Sequence, residues 1–261
     1  MARTHAKVAL VLSAGGMFGA YQAGVWEVLA DVFRPDLVVG TSIGSLNGWL
    51  IAGGVSPTHL VERWLSLDEF AKLKFRFPRR WTDGIVETRI IETWVRGMAA
   101  FTQPRMPYGL VATHLRTLKP QLFQYPPIEW QHLMASCAIP GLFGLQLLNN
   151  ALYCDGGILQ PLPLWAAAEM GAAVAVSTNV MAFRPALVKA VSHLGCKYPN
   201  LAPQAPESFG VIEINPSEPL GSPRDSIYWT RANAERWIRL GRRDALHAKQ
   251  SVVKCVESVA S

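Results

Sequence analysis

A serine flanked by glycines follows an apolar run in the stretch GTSIG, residues 40–44. The preceding apolar residues predict a short buried strand, and residues 42–52 predict a helix. A Gly-x-Ser-x-Gly turn between strand and helix exposes the serine oxygen, because only glycine fits where the two elements crowd together. Gly40 and Gly44 hold those flanking positions, which makes Ser42 the candidate nucleophile. The five-residue motif alone fits a passive serine in a glycine-rich loop equally well.

A second glycine-rich turn, SAGGMFG at residues 13–19, separates a predicted strand from a predicted helix. It lacks the G-x-G-x-x-G pattern of dinucleotide-binding proteins, because alanine occupies position 14. It also lacks the Gly-Lys-Ser/Thr of a phosphate-binding P-loop. The carboxyl ends of neighbouring parallel strands face one crevice. We therefore expect the backbone amides of this turn to lie beside Ser42 and to bind a developing oxyanion.

A third element, Asp155-Gly156-Gly157, follows a predicted strand and is either a plain turn or a functional carboxylate. A histidine base is harder to assign. In α/β-hydrolases the chain order is serine, acid, histidine, which leaves only His193 and His247 after Asp155. His193 lies in a proline-flanked loop, an acceptable position for a base. His247 lies in a basic helix, where solvent exposure is the simpler interpretation. The other four histidines precede Asp155. His59, His114 and His132 break that order, and His5 is expected to be exposed near the start of the chain.

The elements that must position these residues alternate between strand and helix at the start of the chain. That alternation is typical of parallel βαβ units. Residues 56–100 are predicted to be mainly helical, and residues 185–208 to form a loop. The C-terminal part is predicted as one long helix, or two helices interrupted near Gly241. Further strands are predicted at residues 108–114, 121–125, 151–154, 172–178 and 209–215, and further helices at 129–137 and 165–170.

Composition limits the classes of function. The 261 residues are 50% hydrophobic and 17% charged, which predicts an ordered chain with a buried core. The net charge of +6 favours an anionic partner such as a membrane surface. No zinc-ligand spacing, helix-turn-helix pattern or RNA-binding motif supports nucleic acid as a partner. Four scattered cysteines without a CxxC pair predict neither a metal nor a redox site and favour a reducing compartment.

The same composition predicts where the protein works. No apolar run approaches the roughly 18 residues that a membrane-spanning helix needs. The N-terminal apolar run, residues 8–12, is shorter than the core of a secretory signal peptide. We therefore expect a cytoplasmic protein without a signal peptide or transmembrane segment, with peripheral contact to anionic membrane as an additional hypothesis.

Two segments combine cations with aromatic residues. Residues 70–81 interleave lysine and arginine with phenylalanine and tryptophan, which fits either a membrane-interface patch or an exposed element with half-buried rings. The C-terminal helix is basic on one face and carries tryptophan and isoleucine on the other. For that helix, packing against the sheet with a solvated basic face is favoured over membrane docking.

With these elements in this order, the chain resembles the patatin-like phospholipase family of serine acyl hydrolases. The resemblance rests on four stretches that span the chain from about residue 8 to residue 180. They are SAGGMFGAYQAGVWEVL (13–29), VVGTSIGSLNG (38–48), MASCAIPGLF (134–143) and YCDGGILQPLP (153–163).

The resemblance implies a three-layer α/β/α fold with a mainly parallel central sheet. The sequence has no internal repeat and no clear linker, which predicts a single domain over residues 1–261, with the motifs in a core of about 7–215 and basic C-terminal helices at about 223–257. The resemblance also implies a Ser42–Asp155 dyad without histidine or any metal or cofactor. Oxyanion donors come from Gly15, Gly16 and Met17, and the remaining motif glycines are Gly19, Gly40, Gly44, Gly156 and Gly157.

By the same resemblance, the protein cleaves acyl esters of lipids through an acyl-enzyme, as a phospholipase A or lysophospholipase does. Small-ester or thioester hydrolysis and acyl transfer to an alcohol are the enzymatic alternatives. The chain departs from the family pattern where Ala14 replaces a glycine, Phe18 replaces a basic residue and Gln160 replaces an asparagine. Phe18 favours a further alternative, a catalytically weak lipid-binding or regulatory protein.

Overall fold

A computed structural model of the chain describes residues 6–72, 74–182 and 203–260. His5, His193 and most of the predicted loop 185–208 therefore lie outside the described residues. The strands are β1 Lys7–Leu12, β2 Leu37–Thr41, β3 Tyr108–His114, β4 Lys119–Gln124, β5 Gln146–Leu148, β6 Ala151–Asp155, β7 Ala172–Thr178 and β8 Gly210–Ile214. The helices are α1 Gly19–Leu29, α2 Ile43–Ala52, α3 Pro57–Leu65, α4 Arg89–Phe101, α5 Trp130–Ser136, α6 Leu164–Glu169 and α7 Arg231–Ala260.

The eight strands of the described residues form one sheet in the order β5-β6-β3-β2-β1-β7-β8, with β4 paired to β3. The four pairings that link β3, β2, β1, β7 and β8 are parallel. The pairings of β3 with β4 and β6, and of β5 with β6, are antiparallel. This confirms the predicted mainly parallel sheet, to which an antiparallel margin is added at one side.

The sheet lies between two layers of helices, as predicted. Alternate residues of β1 point to opposite faces, as in any strand: Val8, Leu10 and Leu12 belong to the larger core cluster, and Ala9 and Val11 to the smaller one. The smaller cluster is closed by α6. The larger cluster is closed by α1, α2, α3, α5 and α7. Burial on both faces explains why the central strands are continuously apolar in sequence.

The C-terminal segment takes one of its two predicted forms. Of one long helix or two helices interrupted near Gly241, the structure has the single helix, α7, which runs from Arg231 to Ala260 and so begins later than the predicted start at about residue 223. Gly241 lies against the carbonyl oxygen of Tyr21, and Gly24 lies against that of Ile238. These glycines therefore allow α1 and α7 to pack backbone to backbone, and the sequence signal for a helix break is in fact a signal for close packing.

The prediction that residues 56–100 are mainly helical is wrong for its middle part. Residues 74–87 form a hairpin in which Phe75 pairs with Val86 in antiparallel fashion. The N–H of Arg76 donates to the carbonyl of Ile85 at 2.7 Å. Its sequence, Lys-Phe-Arg-Phe followed by Pro78, alternates with the period of a strand, and proline stops a helix.

In the described parts of the chain, no helix combines the length and the apolar composition that crossing a membrane requires.

Candidate active site

Ser42 lies between β2 and α2 in a backbone conformation that side chains rarely adopt, with φ 54° and ψ −126°. The flanking glycines explain how this turn forms. A Cβ at Gly40 would collide with the backbone of Gly44, and a Cβ at Gly44 would collide with the carbonyl oxygens of Leu12 and Ser13. The strained turn and the crowded backbones match what Gly-x-Ser-x-Gly predicts for an exposed nucleophile.

Two further serines hold this turn in place. The backbone N–H of Ser42 donates to Oγ of Ser136 at 2.8 Å, and that hydroxyl donates to the carbonyl of Val111 at 2.7 Å. The Oγ of Ser45 donates to the carbonyl of Ser42 at 2.6 Å. Ser136 was not predicted as a site residue. The only signal for it is its place in the stretch MASCAIPGLF, which carries no chemistry that can be inferred from the sequence alone.

The sheet register brings Asp155 next to this turn. Strand β3 pairs with β2 as far as Thr41 opposite Val111, and it pairs with β6 from Asp155 opposite Ala112. Because β4 follows the other edge of β3 along residues 109–114, β2 and β6 share one edge and meet end to end. Thr41 and Asp155 therefore lie opposite consecutive residues of β3, which brings Ser42, the residue after Thr41, next to Asp155 although the two are far apart in sequence.

The carboxyl group of Asp155 is held in an almost fully buried position. The residue is 3% exposed, and its backbone N–H donates to the carbonyl of Ala138 at 2.9 Å. Its Oδ1 accepts a hydrogen bond from the N–H of Gly157 at 2.6 Å. A Cβ at Gly156 would collide with the carbonyl of Val111, so only glycine allows this turn to lie against β3.

Burial raises the pKa of Asp155 from 3.8 to about 6. Hydrogen bonding with the Ser42 side chain and with the N–H of Gly157 acts in the opposite direction and keeps the increase from being larger. A carboxylate with a pKa near 6 is still ionised at neutral pH but is a stronger base than an exposed one. The arrangement is therefore suited to taking a proton from the Ser42 hydroxyl.

The glycine-rich turn forms the next wall of the site, but it differs from the prediction at Met17. The N–H of Met17 already donates to the carbonyl of Ser226 at 2.8 Å, so it is not free to bind an oxyanion in this conformation. Gly16, with φ 57°, lies directly under the same carbonyl, where any side chain would collide. The N–H groups of Gly15 and Gly16 have no acceptor among the described residues and remain as candidate donors.

The departures from the family pattern are accommodated in the structure. The methyl group of Ala14 lies against Gly157, which has no side chain to oppose it. Phe18 is buried and points into the core, where its ring contacts Trp237 edge to face at 5.1 Å. Gln160 donates through Nε2 to the carbonyl of Pro203 at 2.6 Å. None of the three side chains therefore blocks the space around Ser42 and Asp155, although a positive charge beside the turn is missing.

A free cysteine, Cys137, also lies at the site and was not predicted to do so. Burial and the neighbouring charge of Asp155 raise the pKa of its thiol well above the usual value, so that it stays protonated. Hydrogen bonding with Ser45 and Ser42 opposes that increase. The thiol is therefore a neutral neighbour of the two candidate catalytic residues.

An apolar pocket of about 30 Å³ opens between the glycine-rich turn, α2 and α3. Ile43, the residue after the candidate nucleophile, and Met17 form its inner end. Further wall residues are Leu46, Leu50, Leu60, Trp64, Leu67, Phe70 and Trp94. Gly19 lies under Ile43 and Trp64, where a side chain would displace both. The pocket therefore lies next to the candidate nucleophile in sequence, through Ile43.

No histidine of the described residues forms a hydrogen bond with Ser42 or Asp155. His59 stacks near Phe101, and His247 is exposed on α7. His114 bonds to Thr117, and His132 caps α5 together with Glu129. Within the described ranges 6–72, 74–182 and 203–260, no group of three or more His, Cys, Asp or Glu side chains is placed to hold a metal ion.

The chain is similar to known proteins in sequence and in fold. At 35% identity over 181 residues, the chain matches uncharacterized NTE family proteins of Mycobacterium bovis and of Mycobacterium tuberculosis. The match covers 66% of this chain and 49% of each relative, so the chain spans about half the length of the curated relatives it matches. The crystal structure of VipD from Legionella pneumophila has the same fold, with a TM-score of 0.50 at 13% identity, over 95% of this chain and 67% of VipD.

The sequence model of the patatin-like phospholipase family matches residues 10–168. That range is more than half of the chain and contains the glycine-rich turn, Ser42 and Asp155. The chain therefore belongs to the patatin-like phospholipase family.

Proposed function

We propose that this protein is a serine acyl hydrolase that cleaves acyl esters of lipids, with phospholipids or lysophospholipids as substrates. The observation that carries the proposal is the buried carboxyl group of Asp155 beside the hydroxyl of Ser42, where β2 and β6 meet on β3. Membership of the family supports lipid acyl hydrolysis in general. The residue roles and the substrate are our proposal.

In the first half-reaction, ionised Asp155 takes the proton of the Ser42 hydroxyl while Oγ attacks the ester carbonyl carbon. The carbonyl electron pair moves to oxygen and gives a tetrahedral oxyanion. When the carbon–oxygen double bond forms again, the alcohol leaves with the proton held by Asp155. The acyl group remains on Ser42.

In the second half-reaction, a water molecule takes the place of the alcohol. Asp155 accepts a proton from the water while the water oxygen attacks the acyl carbon. When the second oxyanion collapses, Asp155 returns that proton to Ser42 Oγ. The products are a carboxylic acid and the free enzyme. This chemistry needs no metal or cofactor, since the same carboxyl group acts as base and acid in both steps.

Oxyanion stabilisation is assigned to the N–H groups of Gly15 and Gly16 together with the N-terminal end of α2. Backbone donors held rigidly at a site of low polarity stabilise developing charge better than water does. The close contact of Gly16 with Ser226 fixes the turn from outside and limits its reorganisation. The apolar pocket that begins at Ile43 and Met17 takes the acyl chain. Because its present volume is only about 30 Å³, long chains require the side chains of α3 to move apart.

The test is covalent labelling with a fluorophosphonate probe, together with hydrolysis of p-nitrophenyl esters of short and long acyl chains. Ser42→Ala should lose labelling and turnover completely, and Asp155→Asn should reduce the turnover rate about 10⁴-fold. Ser66→Ala, at an exposed serine on the surface, is the matched control and should behave as wild type. Full activity of Asp155→Asn, or loss of activity in His193→Ala with the fold retained, would contradict the dyad.

Turnover of phospholipids, lysophospholipids and simple esters should be compared with the same preparations. Release of fatty acid from a phospholipid or lysophospholipid by wild type, and not by Ser42→Ala, supports the proposed substrate class. If labelling occurs but only small esters are hydrolysed, the lipid substrate is refuted while the dyad stands. If folded wild type binds lipid without labelling or turnover, the proposed activity is refuted altogether.

A further inference from the structure

The hairpin of residues 74–87 exposes large aromatic side chains at its tip. Phe77 is 95% exposed and Trp81 is 75% exposed, and they are the two most exposed large hydrophobic side chains in the described chain. Soluble proteins rarely leave such side chains grouped on one projection unless the projection binds something. The feature therefore requires a partner that accepts aromatic rings.

The tip is a built structure and not a loose loop. The carboxylate of Asp83 accepts hydrogen bonds from the backbone N–H groups of Arg79 and Arg80, each at 3.1 Å. The N–H of Asp83 in turn donates to the carbonyl of Arg80 at 2.9 Å. The Asp83 carboxylate is therefore occupied with the main chain of the turn, and the side chains of Arg79 and Arg80 are exposed.

The cations of the hairpin lack acidic partners. The exposed side chains of Arg76, Arg79 and Arg80 form no ion pair with a carboxylate in the residues that the structure describes. Two arginines of α7 are paired: Arg242 with Glu27 at 2.6 Å, and Arg231 with Glu235 at 3.0 Å. The exposed large hydrophobic side chain on α7 is the aliphatic Leu246, so unpaired arginines together with exposed aromatic rings distinguish the hairpin from the basic C-terminal helix.

The base of the hairpin is attached to segments that lead to the active site. The N–H groups of Ile85 and Val86 donate to the carbonyls of Gly141 and Leu142 at 3.1 and 3.0 Å. These carbonyls belong to the loop that starts at Cys137, beside Ser42 and Asp155.

On its other side, the hairpin reaches the segment that contacts the glycine-rich turn. The ring of Phe75 lies 6.1 Å from that of Tyr228. The carbonyl of Ser226, two residues earlier, accepts the N–H of Met17. The hairpin therefore contacts two segments that reach the site: the loop that starts at Cys137, and the segment around Ser226 that holds the glycine-rich turn.

From this combination we infer that the 74–87 hairpin docks the protein onto the surface of an anionic membrane, with Phe77 and Trp81 in the interface and Arg76, Arg79 and Arg80 on lipid phosphates. Aromatic rings favour the boundary between head groups and acyl chains, and cations next to them bind anionic head groups. The overall charge of +6 acts in the same direction. Docking at this position would bring lipid to the mouth of the site.

The inference concerns how the proposed lipid hydrolase meets its substrate and in that respect rests on the proposed function. Binding is measured on the Ser42→Ala protein, which cannot turn over lipid, by co-sedimentation with vesicles of phosphatidylcholine alone or mixed with phosphatidylglycerol. We expect binding to the mixed vesicles that weakens as salt is raised. Adding Phe77→Ala and Trp81→Ala should weaken binding at least about tenfold at both low and high salt.

Adding Arg79→Gln and Arg80→Gln should weaken binding to the mixed vesicles by about five-fold for each arginine, with little effect on phosphatidylcholine alone. The matched charge control is Arg116→Gln with Arg239→Gln, two exposed arginines outside the hairpin. The matched apolar control is Phe101→Ala, which removes a ring that is 61% exposed on α4. Both controls should stay within about two-fold of the parent protein, because neither set of residues belongs to the docking surface.

Equal loss in the controls and in the hairpin variants, or no loss in either, would overturn the inference. So would a change from dimer to monomer in Phe77→Ala/Trp81→Ala with unchanged vesicle binding, since the partner would then be a second copy of the chain. If the vesicle binding depends on the hairpin but wild type hydrolyses no lipid, the docking surface stands and only the proposed function is refuted. Conversely, hydrolysis of lipid without hairpin-dependent binding would leave the proposed function standing and refute the docking surface.

Discussion

Replacing Asp155 by asparagine should lower the turnover rate about 10⁴-fold and at the same time stabilise the fold at alkaline pH. The raised pKa of this buried carboxyl group, about 6 compared with 3.8, means that the native state holds the proton more tightly than the unfolded chain does. Stability therefore falls as the pH rises from about 4 to 6, since a charge must remain in a buried site. An amide is neutral at every pH and can keep the acceptor for the Gly157 N–H, so Asp155→Asn removes this cost.

The magnitude follows from the two pKa values. Linkage gives a gain for Asp155→Asn of about 1 kcal/mol at pH 4.5 and about 3 kcal/mol at pH 8. The increment between the two pH values, about 2 kcal/mol, is the diagnostic quantity, because a packing change caused by the amide would contribute equally at both. For a chain of this size it corresponds to a rise in the midpoint of thermal unfolding of about 4–8 °C.

Thermal and urea unfolding of wild type and variant at the two pH values measure this increment. Asp244→Asn is the matched control, because Asp244 is also buried but accepts hydrogen bonds from Tyr21 and Ser217. Losing charged acceptors there should destabilise the protein by about 1.5–3 kcal/mol. A stability difference for Asp155→Asn that is the same at pH 4.5 and pH 8, or that turns unfavourable at pH 8, would refute the reasoning that burial dominates the pKa of Asp155.

The remaining predictions concern catalysis and packing. For a soluble ester, kcat/KM should fall to half of its maximum as the pH is lowered to about 6, because the base must be ionised. A half-maximal value near pH 4 instead would argue against a buried Asp155 as base. Ser136→Ala should lower kcat about tenfold with an unchanged circular dichroism spectrum, since the N–H of Ser42 loses its acceptor; equal rates would show that Ser136 does not position the turn. Gly44→Ala should prevent folding or lower the free energy of unfolding in urea by several kcal/mol, because the new Cβ meets backbone atoms. Gly97→Ala is the matched control on α4: its Cβ meets no atom within 4 Å, so the free energy of unfolding should rise by about 0.5–1 kcal/mol. Soluble, fully stable Gly44→Ala protein would contradict the close contact at the turn.

The parallel part of the fold was predictable because its signals are local. Strands β1 and β2 are apolar throughout, and each ends at glycine or serine before a helix, so residues 7–52 could be assigned from the sequence. The hairpin at 74–87 was missed because its strands are short and its pairing is a single bridge. The sequence left open whether α7 is one helix or two, because Gly241 can mark either a helix stop or a close contact, and only the position of α1 decides between them.

The sequence singled out Ser42 and Asp155 through their glycines, since glycine marks positions where backbones approach closely. The structure brings these two residues together, and their catalytic roles stay a prediction. The support from Ser136 and the burial of Cys137 depend on how α5 packs against β3, and no local pattern carries that information. The hydrogen bond between the N–H of Met17 and the carbonyl of Ser226 joins residues that are far apart in the chain. No local pattern predicts that contact, so the Met17 amide was expected to be free to bind an oxyanion.

Because β2 and β6 share one edge of β3, the proposed catalytic pair forms only after the sheet has folded around β3. Ser42 and Asp155 reach each other only after β3 has paired with β2 in parallel and with β6 in antiparallel register. Contacts between such distant segments form late, because long loops must close first. A chain that ends before residue 155 would contain the serine turn without the proposed base. Under the proposed mechanism, hydrolysis would therefore begin only after the strand that carries Asp155 has joined the sheet.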